Sequence, residues 1–229
     1  MKPEIKNANL KIDYSRLQRI ASYDFIGLHH TYVSHNQSVE VINNFHKNTM
    51  GWAGIGYHFY IYQNGDIYEG RPLHLRGAHI KGENSRSIGV CCAGNFDMQN
   101  ITTDFPEQYK SLIKLLVWLV KKYPGIAIKR HTDFSAKSCP GIKFPFQKTK
   151  EDVRKFKEVD DFMGKYFQDV PDNHWAARDI NEYHEKKLVR GIDEGVFGLG
   201  KNITREEVVV LNNRLRKHLE EFVLDIMVE

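Results

Sequence analysis

GYHFYIYQNGDIYEG, residues Gly56 to Gly70, sets aromatic and β-branched residues on both sides of Asn64-Gly65. Such side chains fit a pleated, half-buried surface, and an Asn-Gly pair tolerates the positive φ that a tight turn demands. The stretch therefore predicts two antiparallel strands within 57–69, joined by a type I′ turn.

Working outward, DFIGLHH (Asp24 to His30) reads as a short buried strand whose apolar run ends on a histidine pair. SVEVINNFHKNTMG follows, with Ser38 as N-cap, Val39, Ile42 and Phe45 at helical spacing, and Gly51 as a stop. A strand feeding a helix indicates an α/β layer. Downstream, SIGVCCAGNF is an apolar run suited to a central strand. FPEQYKSLIKLLVWLVKKYPG has Pro106 near its first turn, an apolar face at Leu112, Leu115, Leu116 and Leu119, and lysines in its last turn. IAIKRH then returns as a strand and delivers His131 to its end, as the first strand delivers His29. In open α/β sheets, sites gather where strand ends meet loops.

Composition sets the outer limits. The chain has 229 residues, 41% hydrophobic and 27% charged, which suits one main domain plus a smaller module. Its longest apolar run, Leu115 to Val120, is flanked by Lys114 and Lys121 and is well short of the ~20 residues a bilayer requires, so no membrane insertion is expected. The first residues lack the apolar core of a secretory signal, so synthesis in the cytoplasm is expected. Cys91, Cys92 and Cys139 are too few for a disulfide framework. The net charge of +4 divides into +9 over residues 1–150 and −5 over 151–229, which supports a boundary near 150. A basic half suits an anionic polymer, and no nucleic-acid-binding motif accompanies it.

In RHTDFSAKSCPG, Arg130 to Gly141, His131, Lys137 and Cys139 stand at i, i+6 and i+8. Zinc takes His and Cys ligands, and a tight turn lets two ligands of one loop converge, with His29 the best candidate for a third. On spacing alone, a lone loop cysteine is more often an inert or simply reactive thiol.

The ordered motifs IGLHHT, GYHFYIYQNGDIYEGR, GAHIKGENSRSIGV and HTDFSAKSCPG resemble the zinc-dependent N-acetylmuramoyl-L-alanine amidases, a family that includes amidase-type phage endolysins and animal peptidoglycan recognition proteins. The resemblance spans about residues 22–146. It implies an α/β fold, a central mixed sheet flanked by helices. It implies one zinc ion per chain on His29, His131 and Cys139, with Lys137 and Tyr57 as catalytic residues. It also places His79 and Asn84 beside the substrate groove, with a loop-stabilising hydrogen-bond network as the alternative reading of this pair. There is no HExxH glutamate, so Tyr57 and Lys137 must share the proton and charge work. Arg86 could reach a stem-peptide carboxylate, Trp52 could line the groove, and Asp133 could orient His131. His30, alternating with His29, should face away from the metal. His35, His46 and His58 read as surface or core residues.

Residues 151–165 are expected to form a charged helix and linker. The segment 166–229, with FQDV, HWA, a glycine turn at Gly191, the Gly195 and Phe197 pair, and ITREE, resembles a single S-layer homology motif. Bottom-up it reads as a small α-helical module in which Thr204 caps a last helix with Glu207 at the capping-box position. The resemblance implies binding to secondary cell-wall polysaccharide. A lone helix pair buries little core, so it should dock or assemble between chains. The expected activity is hydrolysis of the muramoyl–L-alanine amide of peptidoglycan by a phage endolysin that meets the wall after release. A bacterial autolysin and a non-catalytic recognition protein are the alternatives. The recognition members lose the cysteine ligand, which is present here as Cys139.

Overall fold

The computed structural model describes residues 2–162, 166–171 and 174–228, without the side chains of 158–162 and 221–228. Residues 163–165 of the expected linker, and 172–173 and 229 of the expected module, lie outside the described residues. The chain divides into two compact units, 1–156 and 157–229.

The first unit is a six-stranded mixed sheet with helices. In chain order come β1 (Lys6–Asn7), β2 (Phe25–His30), α1 (Val39–Asn44), β3 (Phe59–Ile61), β4 (Ile67–Glu69), β5 (Ser87–Cys92), α2 (Ile101–Asp104), α3 (Pro106–Lys122), β6 (Ala127–Arg130) and α4 (Phe146–Phe162). The strand order is β1-β4-β3-β5-β2-β6. Only β3 and β4 pair antiparallel; β2 runs parallel to both β5 and β6, and β3 parallel to β5. Every residue of β2 and β5 is buried, as strands covered on both faces must be.

Alternation along β2 and β5 sorts their side chains. Ile26, Leu28, Ile88, Val90 and Cys92 enter one core with Leu112, Leu115, Leu116 and Leu119 of α3, and Cys91 enters another with Tyr60, Ile55, Val39 and Ile42. Each of the four leucines contributes about 1.5–3 kcal/mol by its burial. Gln108 of α3 donates to the carbonyls of Ile61 and Ala93, at 2.9 Å each, pinning the helix to the ends of β3 and β5.

Two local expectations need correction. The hairpin exists, but its loop has three residues: Gly65 donates to Tyr62 O and Tyr62 to Asp66 O, both 2.9 Å, and only Gly65 has positive φ, at +91°. Asn64 keeps ordinary φ and uses its amide to hold Asp66. This is the turn followed by a left-handed glycine, in place of the type I′ turn. After α1, capped by Ser38 Oγ, the helix widens into a π-type turn over Phe45–Thr49. Phe45 is consequently half exposed rather than in the core, while Gly51, at φ +69°, lets the chain turn away.

The second unit contains α5 (Ala177–Glu185) and α6 (Arg205–Val228). Phe167, Val170, Ala177 and Ile180 form its small core. Asp169 accepts from the backbone N–H groups of Phe197, Gly198 and Leu199 at 2.6, 2.7 and 3.0 Å, gathering the glycine-rich loop about one carboxylate. Thr204 Oγ1 accepts from Glu207 N while Glu207 accepts from Thr204 N, the capping box at the start of α6.

Candidate metal centre and active site

β2 ends with His29 and His30, and β6, its parallel neighbour, hands the chain to His131 one residue past its end. The loop from His131 folds back on itself through Thr132 N–H to Cys139 O, 2.8 Å, and Asp97 clamps its far side by accepting from Ser138 Oγ (2.6 Å) and Ile142 N (2.8 Å). His29, His131 and Cys139 thereby offer ligand atoms that all lie within 4.8 Å of one another. The pair His29 Nδ1 and Cys139 Sγ is 3.6 Å apart. Two tetrahedral ligands at about 2.1 and 2.3 Å from a zinc ion subtend about that separation. The donor set, two imidazoles and one thiol, therefore fits such an ion.

The surroundings support the same arrangement. His29 Nε2 faces His79 Nδ1 at 3.0 Å, and His79 Nε2 faces the Ser87 carbonyl (3.4 Å) and hydroxyl (3.3 Å). With Nδ1 given to a metal, the His29 proton sits on Nε2 and donates to His79, whose own proton points to Ser87. Burial, reinforced by neighbouring histidines, pushes His29 and His79 well below the ordinary imidazole range, keeping both neutral and fit to ligate or accept. Burial also drives the Cys139 thiol up to about 12, so a metal must displace its proton to bind. His30 N donates to Cys139 Sγ at 3.4 Å.

A cavity of about 510 Å³ opens over these groups, lined by His29, His30, Tyr32, Tyr57, His131, Lys137, Ser138 and Cys139. Tyr57 packs 5.2 Å from the His29 ring, and burial holds its hydroxyl protonated. Lys137 is exposed at the same cavity.

The structure brings together His29, His131, Cys139, Tyr57 and Lys137, and sends the other expected residues elsewhere. His79 is behind His29, in a slot above Gly27 and Gly89, and is not on the cavity wall. Asn84 accepts from the backbone of His79 and Ile80, at 2.7 and 2.9 Å, tying that loop. Arg86 precedes the start of β5, about 16 Å along the chain from the Cys91 end that neighbours His29, and is paired with Asp24 and Glu83. Asp133 does not orient His131: its carboxylate accepts from the Arg130 backbone and guanidinium. Trp52 stacks on His46 at 4.7 Å and borders a second cavity of about 300 Å³ with Arg16, Arg71 and Arg76. His30 turns to the other face of β2, where its Nδ1 accepts from Phe96 N, yet still touches the cavity. His35 is exposed; His46 and His58 are core residues. Sequence reasoning missed Asp97, which ties Ser138 and Ile142, 41 and 45 residues away, and Arg71, which donates to the carbonyls of Ile55, Arg76 and Gly54. It also missed Tyr32, which no motif marks.

Comparison with known proteins agrees with this geometry. Residues 19–142 match the N-acetylmuramoyl-L-alanine amidase profile, and 166–209 match the S-layer homology domain. The endolysin of Enterobacteria phage T3 is 40% identical over 120 residues, covering 52% of this chain and 79% of that protein. The solved endolysin amidase LysCS from Clostridium intestinale URNW is 38% identical with a TM-score of 0.63, covering 67% of this chain and 97% of that one. Drosophila peptidoglycan recognition protein SD, at 24% identity and a TM-score of 0.56 over 63% of this chain and 93% of its own, shares the fold. The sheet order, the three converging donors and a profile match covering more than half of the chain lead to one assignment: this protein belongs to the N-acetylmuramoyl-L-alanine amidase family.

Proposed function

We propose that the chain is an endolysin that hydrolyses the amide between the lactyl group of N-acetylmuramic acid and the L-alanine of the stem peptide, using one zinc ion held by His29, His131 and Cys139. The observation that carries this reading is the convergence of those three donors with Tyr57 and Lys137 on a single cavity. Bound there, zinc lowers the pKa of a water and polarises the scissile carbonyl. The remaining work belongs to the chain. His79 fixes the tautomer and tilt of His29. The Lys137 ammonium faces the charge that grows on the carbonyl oxygen as water adds, and such a preorganised donor is worth about 3–4 kcal/mol in the transition state. Tyr57, its hydroxyl protonated, orients the attacking water and relays a proton: it takes one from the water as the water adds and gives one to the departing alanine nitrogen as the C–N bond breaks. The products are a lactyl carboxylate and a free amino terminus.

The test is release of new L-alanine amino termini from purified walls, with turbidity loss, abolished by a chelator and restored by zinc. New reducing ends without new amino groups would identify a glycosidase and overturn the reading.

The second unit extends the proposal. Its S-layer homology match supports a role in holding the enzyme to secondary wall polysaccharide, and its small core supports assembly between copies of the chain. Intact protein should sediment with Gram-positive walls and fail to do so once their secondary polymer is stripped; sedimentation as a monomer at micromolar concentration would remove the assembly part. In this reading the enzyme is made in the host cytoplasm and reaches the wall on release, as its similarity to phage endolysins suggests.

A further inference from the structure

Tyr32 has no role in the chemistry above, yet its setting is unusual. It is two residues past the end of β2, lines the cavity over the three donors, and keeps 63% of its surface exposed. Its φ is +63°, left-handed backbone that bulky side chains rarely adopt and that persists only where the surroundings impose it. The surroundings do so here. Thr31 N donates to Cys92 O, and the Thr31 hydroxyl exchanges bonds with Gly94, donating to its carbonyl at 3.2 Å and accepting from its N–H at 3.0 Å. A turn alone would be served better by Gly or Asn at this position, so the aromatic ring needs its own explanation.

Its location narrows the ligand. His29 and His30 alternate on β2, and their rings face opposite sides of the strand. Tyr57 packs on His29, while the Tyr32 ring meets His30 at 5.5 Å and 79°, so the two tyrosines flank the strand end from opposite sides. Past Tyr57, the rings of His46 and Trp52 lead to the cavity bordered by Arg16, Arg71 and Arg76. Cationic surroundings suit the carboxylate-bearing peptide half of the substrate. The Tyr32 side presents an open aromatic ring, which suits a neutral, C–H-rich sugar face.

We propose that Tyr32 is a saccharide-binding residue: its ring packs against a hexopyranose of the glycan strand and so holds the substrate's sugar half at the cavity over His29, His131 and Cys139. This rests on the hydrolase reading above.

The test uses the full zinc-loaded chain with two substrates, the disaccharide N-acetylglucosaminyl-N-acetylmuramoyl-tripeptide and the sugar-free D-lactoyl-tripeptide, reading amino-terminus release. Tyr32→Ala should raise KM for the disaccharide peptide about tenfold while leaving kcat within about twofold and the sugar-free substrate unchanged. Tyr32→Phe should behave as wild type, and Tyr32→Asn, at ease in left-handed backbone, should match Tyr32→Ala. Equal losses on both substrates, or no loss on either, overturn the assignment. A second readout needs no turnover: peptide-free disaccharide should shift NMR resonances of the metal-stripped wild-type chain and do so far less with Tyr32→Ala, and equal shifts overturn the proposal. If wild type releases no amino termini at all, the hydrolase reading fails, and the disaccharide titration still decides Tyr32.

Discussion

Cys139 and Lys137 are two positions apart in one loop, yet the geometry gives them separable jobs. Cys139 is buried with its sulfur 3.6 Å from His29 Nδ1, whereas Lys137 is exposed at the cavity. Cys139→Ser should therefore abolish stoichiometric zinc, measured by atomic absorption after dialysis, together with activity, with the far-UV circular dichroism retained. Lys137→Ala should keep its zinc and lose about 10²–10³ in kcat. Equal metal loss in both would contradict this division. His79→Ala should act at one remove, weakening zinc about 10–100-fold in a chelator competition, since the support of a ligating imidazole is what it deletes. The five residues that line the cavity together were legible because His29 and His131 stand at strand ends, Lys137 and Cys139 share one loop, and Tyr57 immediately precedes the hairpin, places where sequence order translates into spatial order. The contact of His79 with His29 was not legible: it runs through the face of the sheet and depends on which strands are neighbours, which a linear spacing does not encode.

At the scale of elements, the slot that holds His79 behind His29 is walled by glycines, and a β-carbon on Gly77 would come within 2.6 Å of the His79 ring. Gly27 and Gly89 are register partners on β2 and β5, and a β-carbon on Gly89 would come within 2.7 Å of the His79 ring. Gly89→Ala should thus push His79 out of its place, costing about 1–3 kcal/mol in urea unfolding and weakening zinc binding in parallel. Stability loss with unaltered zinc affinity would show that the slot does not govern the ligand. The buried strands, α3 and the α6 capping box were read correctly from periodicity and end signals. The hairpin loop was not: Asn64-Gly65 is compatible with two turn types, and the choice fell to the Tyr62–Asp66 pairing and the side-chain bonds of Asn64 to Asp66.

For the molecule as a whole, two core histidines away from the donor cluster contribute to its sensitivity to acid. Burial, with Arg71 nearby, holds His46 down to about 4; burial likewise holds His58 to about 4, against a weaker opposing pull from the Leu75 carbonyl. In the unfolded chain both titrate near 6.5, so below that pH the unfolded state takes up protons that the folded state refuses until about 4. Stability is complete above about pH 6.5 and falls as pH drops towards 4, by at most about 3 kcal/mol per ring. Urea midpoints at pH 7, 6 and 5 should decline in that order, and a flat series would mean that these rings are not buried neutral.

The parallel pairing of β2 with β6 also bears on when the three donors can meet during synthesis. His29 and Cys139 are 110 residues apart, and neither His131 nor Cys139 exists while the earlier strands are being translated. At roughly 5–20 residues per second, a ribosome needs roughly 5–20 s to travel between them. The three donors therefore cannot converge until β6 and the loop that carries His131 and Cys139 have joined the sheet.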